Sequence, residues 1–102
     1  MDYTTLTNAE LIETARVTLR NASYQTGRWD AAVILPSKVS RRRKRAIMNA
    51  AVAARKTIER EYDDVCDELQ ARGIAEQFSD YSAVADAGRD AGRASVAREV
   101  AR

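Results

Sequence analysis

Between Ser37 and Ala46 the chain strings together Lys38, Arg41, Arg42, Arg43, Lys44 and Arg45, six cations within eight positions. Such side chains neutralise phosphate oxygens, and each contact adds to affinity and to its salt dependence. Arg28 is expected to join the group, with Arg55 and Lys56 as outlying members. Trp29, if exposed, offers a ring on which a base can stack. The chemistry this points to is binding of a nucleic acid, DNA in the first instance, with phosphate contact dominant and sequence preference weak. The sequence has no zinc-finger spacing, no glycine-rich RNA-binding signature and no short helix pair leading into a recognition helix. Two readings compete: a solvated helix end, or a basic end that docks on an acidic protein surface, that of another copy included.

The remaining reactive groups point away from catalysis. The chain contains no histidine and no glycine-rich phosphate loop, so the usual acid/base and triad arrangements are missing and no enzyme is expected. Asp63, Asp64, Asp67 and Glu68 are close neighbours on a helix, yet they lack calcium-loop spacing. A hydrated face with partners such as Arg60 accounts for them, and neither metal nor cofactor is expected. Cys66 is the single cysteine; it cannot form an internal disulfide and reads as a packing residue in a reducing compartment.

Charge is divided along the chain. Residues 1–56 hold 11 Lys/Arg against 4 Asp/Glu, whereas residues 57–102 hold 6 against 11. A dipole of this kind can place its basic half on a polyanion or stack on copies of itself. The N-terminus lacks the basic and apolar regions of a signal peptide, and no apolar run approaches the ~20 residues of a membrane span. The expectation is a protein with no membrane partner, cytoplasmic or carried within a particle, and not secreted.

The elements that must position these groups are helical. Ile47, Ala51, Ala54, Ile58, Tyr62, Val65 and Leu69 step by three and four, the signature of one buried stripe. The fold expected is all-α: about three helices organised around one long central helix, roughly 37–72, forming an oligomer through that stripe as its seam. Ser37 can cap this helix, with Ser40 as a later start, and Gly73 can end it in the left-handed conformation, followed by the apolar Ile74. The basic run at its front and the acids at its back oppose the helix dipole, which favours the reverse order by roughly 0.3–1 kcal/mol per charge.

Before it, residues 1–6 are expected to be a flexible lead, and Thr7 with Glu10 forms a capping box that starts a helix at Asn8. That helix buries Leu11, Ile12, Ala15, Leu19 and Ala22 and is expected to stop at Gln25-Thr26-Gly27. Residues 28–36 are an irregular or briefly helical link. The alanine-rich section 46–54, with a second stripe of Met48 and Val52, is expected to be surrounded on several sides. A final helix, about 80–100, is marginal because it contains two glycines, each costing about 1 kcal/mol relative to alanine. Its small-residue face is expected to be Tyr81, Val84, Gly88, Ala91 and Ser95. One domain, 1–102, accommodates all of this. At the level of fold alone, the form is shared by nucleoid-type proteins, bacteriophage particle or assembly subunits and small inhibitor proteins.

Overall fold

The computed structural model describes residues 2–101 and is all-helical. Helix α1 spans Asn8–Val33, α2 spans Arg41–Ala71 and α3 spans Tyr81–Val100, with short 3-10 turns at Tyr3–Thr5 and Ala75–Gln77. Among the described residues there is no strand, and no helix is long and apolar enough to cross a membrane.

Helix α1 starts where the capping box requires. The Thr7 hydroxyl accepts from the Glu10 backbone N–H at 3.1 Å, and the Glu10 carboxylate accepts from the Thr7 N–H at 2.8 Å. Its end is a correction. The helix runs through Gly27 to Val33, so residues 28–33 are helix and only 34–40 form the connection. Gly27 is not a terminator but a point of close approach: a Cβ there would collide with the Arg89 carbonyl of α3. The start of α2 also moves. A turn closed by the Val39 N–H on the Pro36 carbonyl at 3.0 Å uses up residues 37–39 in reversing the chain, and Ser40, not Ser37, caps the helix through the Arg43 N–H at 3.1 Å. The far end is as read: Gly73 has φ 68°, and Ile74 beyond it is buried.

The arrangement of the three helices differs from the expectation in one respect. The longest helix is α2, but the element packed against both others is α1; α2 and α3 make almost no backbone-level contact with each other. The expected oligomer seam is accordingly closed by the chain's own first helix. Ile47, Ala51, Val65 and Leu69 are buried there and Ala54, Ile58 and Tyr62 are half-buried. At one end Leu11 and Ala15 of α1 meet Val65 and Leu69 of α2, with Ile74 and Phe78 completing the cluster. At the other, Ala32, Ile47 and Val96 bring all three helices together. The alanine-rich section is not enclosed. Only Ile47 and Ala51 are buried within it, and Val52 is 42% exposed.

The α1–α3 contact is made by glycine. Gly88 lies on the Arg20 carbonyl and Gly92 on the Tyr24 carbonyl, each too close for a Cβ, and Gly27 answers from α1. The buried face of α3 is Gly88, Gly92 and Val96 in steps of four; of the expected face Gly88 is buried and Val84 and Ser95 are half-buried, whereas Ala91 and Tyr81 are exposed. Ion pairs flank it: Asp30 accepts from Arg89 at 2.6 Å and from Arg93 at 3.3 Å, and Arg16 reaches Asp80 at 3.1 Å.

The expected flexible lead is tied down. Arg72, just past α2, donates to the carbonyls of Tyr3 at 3.0 Å and Thr4 at 3.3 Å and to Asn8 Oδ1 at 3.0 Å, while its Nε holds Glu68 at 2.9 Å. Tyr3 and Leu6 pack on the cluster of Leu11, Val65, Leu69 and Phe78. Met1, the first residue of that expected lead, and Arg102, the last of the expected domain, lie outside the described residues.

Candidate nucleic-acid interface

The contacts along α1 fix its neighbours' directions. Arg16 meets Asp80 and Arg28 meets Glu99, so α3 runs parallel to α1; Ala32 meets Ile47 while Leu11 meets Leu69's end of α2, so α2 runs antiparallel. The basic start of α2 therefore sits beside the C-terminal ends of both α1 and α3. Two helices end in open carbonyls where one begins in open N–H groups, and the cations that oppose their own helix dipole complement two others. The acidic end of α2 mirrors this beside two helix starts.

Two members of the predicted group are spent in that way. Arg28 donates to Ser95 Oγ at 2.7 Å and to Glu99 Oε2 at 2.9 Å, with its side chain only 19% exposed. Arg43 Nη2 donates to the Glu99 backbone carbonyl at 2.9 Å, in the last turn of α3. Both converge on the end of α3. Their partners are 71 and 56 positions away in sequence, which hid this role.

Lys38, Arg41, Arg42, Lys44 and Arg45 are left. Among the described residues their side chains form no ion pair and no hydrogen bond. Lys38, Arg41, Arg42 and Arg45 are exposed and Lys44 is half-buried. Elsewhere Arg16, Arg28, Arg55, Arg72, Arg89 and Arg93 have carboxylate partners, whereas Arg20, Arg60 and Arg98, scattered singly along the chain, have none among the described residues. Like charges at i,i+4, as at Arg41 and Arg45, cost a helix about 0.2–0.5 kcal/mol. Among the described residues no carboxylate offsets that cost.

The surface around these cations is grooved. Arg41, Lys44, Arg45, Met48 and Asn49 line one depression of about 280 Å³. A second, of about 340 Å³, opens between α1 and α2 and is lined by Gln25, Trp29, Ala51, Val52, Arg55, Lys56 and Glu59. Trp29 is 38% exposed there. Arg55 is held by Glu59 at 2.8 Å and donates to Thr26 Oγ1 at 3.3 Å, bridging the two helices, while Lys56 has no partner among the described residues. At 100° per residue Arg41, Arg45, Met48, Val52 and Lys56 fall within one sector of roughly 80°, so the two depressions share a face of α2. That periodicity was present in the sequence, hidden behind the stronger apolar stripe.

The other reactive groups sit apart. Cys66 is half-buried beside Tyr62, and burial pushes its thiol above the ordinary range, the wrong direction for a nucleophile. Burial likewise raises the Tyr62 phenol. Among the described residues, no group of three or more His, Cys, Asp or Glu side chains is placed to hold a metal ion. At the basic end a largely apolar hollow of about 300 Å³ is lined by Ala31, Ile34, Leu35, Pro36, Val96 and Ala97 together with Arg93, with Ile34 81% exposed. No known protein family, curated protein or solved structure matches the chain.

Proposed function

We propose that this chain binds nucleic acid with little regard to sequence, through Lys38, Arg41, Arg42, Lys44 and Arg45 at the start of α2. The observation that carries the reading is the clustering of these five side chains within eight positions, unpaired among the described residues, with four of them exposed. A polyanion relieves their mutual repulsion, and backbone phosphates supply it without demanding a base sequence. Arg28 and Arg43 serve the fold and contribute only background field.

A second reading draws on the exposed acids Glu59, Glu61, Asp63, Asp64 and Asp67 in the other half of the same helix. The basic end of one copy can dock on the acidic segment of another, or on another acidic protein, making the chain a non-enzymatic assembly subunit. Any such oligomer uses the outer faces of α2, since α1 occupies the inner one.

Light scattering behind size-exclusion chromatography, on nuclease-treated protein with and without a short DNA duplex, separates the two. A complex that dissociates as salt rises, and that is lost in the triple variant Arg41→Ala, Arg42→Ala, Arg45→Ala, supports nucleic-acid binding. An oligomer indifferent to DNA, whose mass the same triple variant changes, supports assembly.

A further inference from the structure

We propose that the groove between α1 and α2 takes a base of a single-stranded nucleic acid, stacked on Trp29, while the strand's phosphates follow Lys56, Arg45 and Arg41 along α2. The inference rests on the phosphate-binding reading and adds a ligand class to it.

Three observations lead there. Trp29 is the chain's only tryptophan and is left 38% exposed in a groove of about 340 Å³, although aromatic rings are normally drawn into cores. The groove walls pair that ring with the apolar Val52 and Ala51 and with the amide of Gln25, a lining suited to a flat, partly polar ring. The same face of α2 carries Lys56 at the groove's rim and, past the uncharged Val52 and Met48, Arg45 and Arg41 in the adjoining depression. Fifteen residues of helix separate Arg41 from Lys56, a track of roughly 22 Å at 1.5 Å per residue.

A cationic track beside an aromatic ring is the arrangement that binds single strands, because every unpaired base has a face to stack and every linkage a charge. A duplex keeps its bases stacked inside and can offer the track only its phosphates. Glu59 at the far wall closes the track: its carboxylate neutralises Arg55 and repels phosphate, so the strand leaves toward Arg41 and not toward the acidic half of α2.

Because Trp29 is unique, its emission reports on this groove alone. The test titrates the full chain with a short oligothymidylate, the matching oligouridylate, and a duplex of equal length, at low and moderate salt. Quenching by the single strands, with weaker binding and unchanged emission for the duplex, is expected; the first two arms separate DNA from RNA. Trp29→Leu should weaken single-strand binding roughly 5- to 150-fold while leaving the salt slope unchanged, since the phosphate contacts remain. Trp29→Phe should recover part of the loss. Val52→Glu, at a site already 42% exposed, should abolish quenching without disturbing the fold, as judged by circular dichroism. Equal affinity for single strand and duplex with unchanged emission overturns the stacking site and leaves phosphate binding standing. Failure of every nucleic acid to bind overturns both. Emission that changes with protein concentration alone, with a doubled mass, gives the groove to a second copy and overturns the proposal.

Discussion

Gly92→Ala is the sharpest test of how α3 is held. In an isolated helix the change is favourable by about 1 kcal/mol, and α3 carries two glycines in 20 residues. In this molecule the added methyl meets the Tyr24 carbonyl and the Arg28 backbone nitrogen of α1. Neither is the end of a flexible side chain, so α3 itself must move. Overpacking of this kind costs about 1–3 kcal/mol, and here the upper part of that range applies because backbone meets backbone. Displacement also lengthens the bonds that flank the contact, Arg28 to Ser95 and Glu99 on one side and Arg89 to Asp30 on the other. Set against the helix gain, the net loss is about 1–2 kcal/mol, which for a chain of this size lowers Tm by roughly 4–16 °C. Urea or thermal melts followed by far-ultraviolet circular dichroism read it directly, with Asp90→Ala, at an exposed position of the same helix, as the reference. A Gly92→Ala protein as stable as the parent, or more stable by the helix-propensity gain, refutes the close approach of α3 to α1.

Arg72→Ala should cost about 1.5–3 kcal/mol in urea melts, because it strands the Tyr3 and Thr4 carbonyls and the Glu68 carboxylate together, and it should make residues 2–6 sensitive to proteolysis. Arg72→Lys should recover only part, having no fork to span those partners. For Asp30, the Arg89 guanidinium holds the folded-state carboxyl below its ordinary value. Its contribution is therefore complete above the unfolded value of about 4 and is lost as pH falls through the lower, folded one. Asp30→Asn should be less stable than the parent near neutrality, and the gap should close in melts at strongly acidic pH; a gap constant with pH refutes the assignment.

Much of this fold was legible locally. Thr7 with Glu10, Gly73 with Ile74, and the stripe from Ile47 to Leu69 are short-range patterns, and each produces the cap, stop or buried face that its spacing implies. What was not legible depends on residues far away in sequence. Gly27 looks like a terminator because nothing nearby reveals the Arg89 carbonyl that needs its missing Cβ. The face of α3 was misjudged by a fraction of a turn, since the choice between Ala91 and Gly92 is settled by the backbone of α1 and not by hydropathy. The site divides in the same way. The basic run was plain, but the loss of Arg28 and Arg43 to the end of α3 follows from helix directions that no single segment encodes.

Helix direction also governs the order in which the molecule can come together. The antiparallel α1 and α2 are joined by a short turn, so their contacts can close like a zip from Ala32 and Ile47 outward, each step adding little loop. The parallel α1 and α3 have no such starting point. Arg16 to Asp80, Arg28 to Ser95 and Asp30 to Arg89 all span 59 to 67 positions, so the first of these contacts carries nearly the same loop-closure cost as the last. Bringing α3 onto α1 therefore closes, at whichever contact it begins, a loop that contains the whole of α2.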